Sequence, residues 1–185
     1  MERAGYVLAG GRSSRMGRDK ARLPFRGMLL IEAVAREVEK AAGSAVLVGY
    51  RDPVPGLLSI PDLHPGEGPL GGILTVLHHS PAEWNLVVAC DMPEASAGFL
   101  NLLLDKAASS GAAALVPAGP SGMAEPLCAV YHRSCRAAFD QVFDQGRRKV
   151  TEALAAVATI RLSVPETLYF QNVNTPDDWS GYAAK

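Results

Sequence analysis

Apolar positions along this chain follow two alternating rhythms. Short continuous runs (Tyr6 to Ala9, VLVG at 46–49, NLVVAC at 85–90) have the density of strands buried on both faces. Such runs predict strands at 4–9, 44–49, 57–60, 85–90, 112–116 and 126–131, with weaker runs near 159–162 and 168–171. Between them the spacing turns helical. Over 28–42, Ile31, Val34, Ala35, Val38 and Ala42 share one face, Glu32, Arg36, Glu39 and Lys40 fall elsewhere, and Gly43 suits the C-cap. Residues 97–109 repeat the pattern through Leu100, Leu103, Leu104 and Ala107, and further helices are predicted over 71–79, 134–145 and 149–157. Strand and helix in alternation mean parallel strands with helices on both faces, an α/β fold whose ligands lie at the carboxyl ends of the strands. The Pro/Gly-rich stretches 52–56, 61–72 and 117–126 read as loops. No repeat, long linker or low-complexity tract divides the chain, so one domain is expected over 1–185.

Composition narrows the function classes. Hydrophobic residues make up 48% and charged residues 20%, ordinary values for a globular protein, and the net charge of −1 offers no field for nucleic acid or a membrane surface. No apolar run reaches spanning length and no secretory leader is visible. The three cysteines, Cys90, Cys128 and Cys135, have no C-x-x-C spacing, which argues against a disulfide framework or a zinc site and for a cytoplasmic setting. They read as small core residues.

Charge is concentrated instead of spread. Arg12, Arg15, Arg18, Lys20, Arg22 and Arg26 crowd the stretch LAGGRSSRMGRDKARLPFRG at 8–27, directly after the first predicted strand. A glycine-rich loop there exposes backbone N–H groups amid positive charge, which suits a polyphosphate. The spacing is neither a Walker A loop, since Arg18 follows Gly17, nor a dinucleotide fingerprint, since Gly10 and Gly11 are adjacent. On these residues alone, a phosphate cradle and a basic surface turn both remain open.

Three acidic or amide positions add chemistry. Asp91 follows the NLVVAC strand and precedes Met92-Pro93, so its carboxylate points into the ligand crevice, where one or two carboxylates with substrate phosphates suit Mg²⁺. Asp62 is expected to end a short strand before GPLGGI and a helix; its carboxylate can accept paired hydrogen bonds from a guanine edge, or simply cap a turn. In NVNTPDDW, Thr175 and Pro176 read as the cap and first residue of a last helix, with Asp177 and Asp178 following. Asn172 and Asn174 precede that cap, and an Asn oxygen can complete a Mg²⁺ shell. His64 and Glu67 read as solvated loop residues, His78-His79 as a helix end, and His132 as unpartnered. Residues 119–126 and Arg147 or Arg148 are candidates for an acceptor pocket. No G-x-S-x-G, H-E-x-x-H or nucleophilic cysteine arrangement is present.

Taken in order, LAGG-x-S-x-R-M-G-x-D-K, PD, GPLGGI, CDMP and NVNTPDD resemble the molybdenum cofactor guanylyltransferases of the MobA type, across essentially the whole chain. The resemblance implies a three-layer αβα sandwich with a mostly parallel central sheet, like the nucleotide-diphospho-sugar transferases. It implies transfer of GMP from Mg-GTP to molybdopterin with release of pyrophosphate. GTP and molybdopterin are then the substrates, Mg²⁺ the cofactor, and molybdenum-insertion proteins and apo-molybdoenzymes the downstream partners. By resemblance the nucleotide loop maps onto Leu8, Ala9, Gly10 and Gly11, the signature cations onto Arg15 and Lys20, the guanine-side carboxylate onto Asp62, and the metal ligands onto Asp91 and Asn174. Lys20, Arg15 and Asp91 are the expected catalytic residues. Where the family often has an asparagine after the second strand, this chain has Gly49, then Tyr50 and Arg51. Gly10 stands where cytidylyltransferase relatives tend to carry alanine, which favours a purine. A cytidylyltransferase, a transferase for another phosphorylated acceptor and a non-catalytic nucleotide-binding protein are the alternatives.

Overall fold

The computed structural model describes residues 2–10, 19–166 and 168–171. Its strands are β1 (Arg3–Leu8), β2 (Pro24–Phe25), β3 (Met28–Leu29), β4 (Val46–Val48), β5 (Leu58–Ile60), β6 (Trp84–Ala89), β7 (Ala114–Ala118), β8 (Cys128–His132) and β9 (Thr159–Ser163). Its helices are α1 (Leu30–Ala42), α2 (Pro69–His79), α3 (Ala97–Ser109), α4 (Cys135–Asp144) and α5 (Val150–Leu154). Among the described residues seven strands form one sheet in the order β5-β4-β1-β6-β8-β7-β9, and β2 and β3 form a separate small hairpin. All neighbours in the large sheet run parallel except β8, which is antiparallel to both β6 and β7.

The period-two alternation of each strand feeds two apolar layers. From β6, Leu86 and Val88 face one layer and Val87 the other; from β8, Cys128 and Val130 oppose Ala129 and Tyr131. The first layer holds α1 and α3 through Ile31, Val34, Val38, Leu100, Leu103 and Leu104. The second holds α2, α4 and α5 through Ile73, Leu74, Leu77, Phe139 and Ala153. Every residue of β6 is buried, Asn85 included, whose amide donates to Ala82 O and Tyr131 O. The result is the expected three-layer αβα arrangement.

Local signals set the helix ends. The Glu32 carboxylate accepts the Leu29 N–H at 2.7 Å, and Gly43, at φ 80°, closes α1 by donating to the Glu39 carbonyl. Two elements differ from expectation. A loop joins β7 to β8, as expected, but β8 runs antiparallel where the alternation implied a parallel strand, and the Tyr131 hydroxyl holds the return by donating to the Pro126 carbonyl at 2.7 Å. The run at 168–171 is not a strand but contains a single 3₁₀ turn, Leu168–Phe170, whose Tyr169 ring stacks on Phe99 with centroids 4.2 Å apart. Its aromatic residues pack on α3 instead of pairing with the sheet edge. Among the described residues no helix is long and apolar enough to cross a membrane.

The chain runs from β1 outward through α1 to β4 and β5, then crosses back through α2 to β6 on the other side of β1. Strand order therefore reverses at β1 and β6, and a crevice opens at their carboxyl ends.

Candidate active site

Backbone hydrogen bonds extend beyond the strands at this crevice. The Ala9 N–H donates to Val48 O at 3.0 Å, Cys90 N–H to Leu8 O at 3.0 Å, and Gly49 N–H to Ile60 O at 2.9 Å. Leu8, Ala9, Gly49 and Cys90 are thereby locked side by side at the rim. Gly10 follows, exposed. A Cβ on Gly10 would lie 3.5 Å from Gly49 Cα and 3.6 Å from Asp62 Oδ2, so the glycine loop, the end of β4 and Asp62 close on one another. Gly49 itself has φ 75°, and a Cβ there would come 3.1 Å from Gly10 Cα. This left-handed, crowded position suits a residue without a Cβ.

Asp62 lies two residues beyond β5, not at its end. Its Oδ1 accepts the His64 N–H at 2.9 Å and the Thr75 hydroxyl at 3.0 Å, the turn role that Asp fills well. Its Oδ2 is directed at Gly10, so one oxygen holds the loop while the other faces the crevice. The adjacent glycines Gly71 and Gly72 bring α2 close enough for this. A Cβ on Gly71 would come 2.8 Å from the His64 Cβ, and one on Gly72 3.3 Å from both Leu8 methyl carbons.

Asp91 lies in the turn after β6, half-buried, with the Met92 N–H closing on Ala89 O at 3.3 Å. Burial pushes its carboxyl above the ordinary range, and the Lys20 ammonium pulls it back. Lys20 reaches the site from a 3₁₀ turn, Lys20–Arg22, capped by Asp19, whose Oδ1 accepts the Ala21 N–H at 3.1 Å. A second carboxylate stands opposite. The pairing Val88 to Cys128 continues as the Ala89 N–H donates to Leu127 O at 2.7 Å, which carries Glu125 across from Asp91. Burial, and then the charge of Asp91, push the Glu125 carboxyl up, against the Leu127 N–H. Glu125 is thus a second half-buried carboxylate within electrostatic reach of Asp91, and oxygen donors of this kind suit a hard divalent cation. Among the described residues no three His, Cys, Asp or Glu side chains converge as a metal centre, so such a cation would depend on other oxygen donors, phosphates included. The Cys90 thiol, pushed up to about 12 by burial and by the charges of Asp91 and Asp19, is not a nucleophile near neutral pH.

Residues 5–158 match the model of the MobA-like NTP transferase domain. The chain belongs to this family. A molybdenum cofactor guanylyltransferase of Xanthomonas euvesicatoria pv. vesicatoria is 34% identical over 183 residues, spanning 95% of this chain and 92% of that protein. A probable molybdenum cofactor guanylyltransferase of Bacillus cereus is 30% identical over 189 residues, spanning 95% and 93%. The crystal structure of molybdopterin-guanine dinucleotide biosynthesis protein A from Archaeoglobus fulgidus superposes with a TM-score of 0.81 at 28% identity, covering 97% of this chain and 96% of that one. The protein is accordingly a nucleotidyltransferase with the nucleotide-diphospho-sugar transferase fold.

In this MobA-like chain the structure brings Leu8, Ala9, Gly10, Lys20, Asp62 and Asp91 to one crevice. Gly11, Arg15 and Asn174 lie outside the described residues, as do Asn172 and the helix expected from Thr175. Arg148 pairs with Glu67, donates to Phe143 O at 2.7 Å and stacks 3.8 Å from the Phe143 ring centroid. Glu67 is thus ion-paired and His64 rests on Phe143 at 4.5 Å, so neither is simply solvated. His78 pairs with Asp140, while His132 bonds Ser134 at 2.8 Å and packs on Trp84. Asp19 falls within the quoted motif and Glu125 within the stretch 119–126, but the sequence singled out neither for a role. The antiparallel register of β8, unreadable without the structure, is what places Glu125.

Proposed function

We propose that this protein transfers GMP from Mg-GTP to molybdopterin, forming the guanine dinucleotide cofactor and releasing pyrophosphate. The observation that carries the reading is Asp91 beside Lys20 at the strand-order reversal, with Asp62 Oδ2 facing Gly10 across the same rim. Its relatives' names supply the acceptor.

Asp91 would hold Mg²⁺, with Asn174 as a further oxygen donor. A cation there supplies charge neutralisation at the α-phosphate. The chain's own residues position and neutralise. Lys20, with Arg15, balances the triphosphate and the departing pyrophosphate. Gly10 and Gly11 bring backbone against the phosphates. The Ala9 N–H, engaged by Val48, contributes to the floor of the site instead. Asp62 Oδ2 accepts from the guanine edge. The attacking phosphate oxygen of molybdopterin forms a bond to the α-phosphorus as the bond to the β-phosphate oxygen breaks. That oxygen is already anionic near neutral pH, so no strong general base is needed, consistent with an unreactive Cys90.

The test is direct. The purified protein is incubated with molybdopterin and either Mg-GTP or Mg-CTP, and the product is identified by mass. The expected result is the guanine dinucleotide with one pyrophosphate released per transfer. A cytosine product, or nucleotide binding without pyrophosphate release, overturns the assignment. Three free cysteines suit a reducing cytoplasm, which we propose as the location.

A further inference from the structure

We infer that Tyr50 is a positioning residue for Lys20, acting through Asp19. The inference rests on the nucleotidyl-transfer reading but not on the choice of base. Lys20 is the first residue of a three-residue 3₁₀ turn, a short element with little hydrogen bonding of its own. Its backbone is tied by Arg22 N–H to Asp19 O and Leu23 N–H to Lys20 O, both at 3.1 Å. Something else must hold the lysine against Asp91.

Two anchors do so. Ala21 is buried among the residues of the α1 layer. Asp19 is gripped at both oxygens: Oδ1 accepts the Ala21 N–H at 3.1 Å and Oδ2 accepts the Tyr50 hydroxyl at 2.9 Å. The Tyr50 ring is only 9% exposed and belongs to the same apolar layer. Its main chain is pinned from β5, since the Ser59 hydroxyl donates to Tyr50 O at 2.6 Å and the preceding Gly49 bonds Ile60. The hydroxyl is therefore presented from the rigid sheet to the loop that carries the catalytic lysine. The Ala21 N–H and the Tyr50 hydroxyl together fix where the Asp19 carboxylate lies. This matters because its charge reaches the same end of the crevice, where it raises the Cys90 thiol. The nearby Arg22–Asp52 pair, 3.0 Å apart and exposed on both sides, is a weak substitute.

A mutant cycle tests this without the acceptor. Mg-GTP affinity is measured by calorimetry for wild type, Tyr50→Phe, Lys20→Ala and the double variant, with thermal melts on each. A charge-assisted hydrogen bond to a positioning carboxylate predicts roughly a tenfold loss for Tyr50→Phe. In the Lys20→Ala background the same change should cost less than about twofold, because the group it positions is gone. Asp19→Ala should cost at least as much as Tyr50→Phe, because it also removes the acceptor of the Ala21 N–H, and adding Tyr50→Phe to Asp19→Ala should cost nothing more. Asp52→Asn should stay within about twofold of wild type. Equal losses for Tyr50→Phe in both lysine backgrounds, additive losses with Asp19→Ala, or no loss at all overturn the inference while leaving the transfer reaction standing. A wild type that binds CTP and not GTP overturns the guanine assignment alone, and the cycle is then run with CTP. A wild type that binds neither overturns both.

Discussion

Asp91 is a carboxylate held where its charge is costly. Burial pushes it toward the neutral form, and the nearby Lys20 opposes that push only in part. An ionised group maintained against desolvation is a mark of a working site. Asp91→Asn keeps the shape and removes the charge. Pyrophosphate release should fall by about a thousandfold, with circular dichroism and melting point essentially unchanged; near wild-type turnover would refute the role. Gly49 carries a different constraint. With φ 75° and a Cβ that would come 3.1 Å from Gly10 Cα and 3.3 Å from Asp62 Cβ, Gly49→Ala strains the backbone and presses on two site residues at once. It should destabilise by more than about 1 kcal/mol in urea titration and weaken GTP binding as well. At this scale the sequence was informative about single residues with one strong environment, such as Asp91 after a strand that is apolar but for Asn85. It gave no role to Tyr50, and placed Glu125 only within a candidate stretch, because their surroundings depend on partners 31 and 34 positions away that only folding brings close.

Helices α1 and α3 show how an element is tied to its neighbour by one side chain. Glu37, on α1, accepts the first free N–H of α3 from Ala97 at 2.8 Å while pairing with Lys40. Burial pushes its carboxyl up, but the Lys40 and Ala97 hydrogen bonds and the charges of Lys40 and Arg36 outweigh that and leave it below the usual carboxylate range. A carboxyl depressed on folding binds fewer protons folded than unfolded. Its stabilisation is therefore complete above the unfolded value near 4.5 and is lost as pH falls through the folded value. Glu37→Gln should cost about 1 kcal/mol near pH 7, with the gap to wild type narrowing below about pH 4.5 in denaturant titrations at stepped pH. A gap independent of pH would refute the account. The helix over Ala97–Ser109 was legible to the residue because Ser96 caps it and its leucines repeat at helical spacing. The strand direction of β8 was not, because a short apolar run carries no direction. Nor was the 3₁₀ turn at Leu168–Phe170, where the same aromatic residues that favour a strand find Phe99 instead.

The two apolar layers and the crevice between the strand ends divide stability from binding. Phe139 sits fully buried in the layer of α2 and α4, its ring edge-on to Tyr131 at 5.9 Å. Lys20 and Asp91 lie at the strand ends, outside that layer. Phe139→Ala removes core volume and should cost about 3–5 kcal/mol, lowering the melting point by on the order of 10 °C. A ligand that binds only the folded chain, at about one hundred times its Kd, adds about 2.7 kcal/mol, which for a chain of this size raises the melting point by on the order of 5–10 °C. Mg-GTP should therefore shift wild type and Phe139→Ala upward by similar amounts from different baselines. Lys20→Ala should keep the wild-type baseline and lose most of the shift. Differential scanning fluorimetry with and without Mg-GTP separates the two behaviours. If Phe139→Ala lost the shift as completely as Lys20→Ala, the layer and the crevice would be energetically one unit, and the assignment of triphosphate binding to the strand ends would fail.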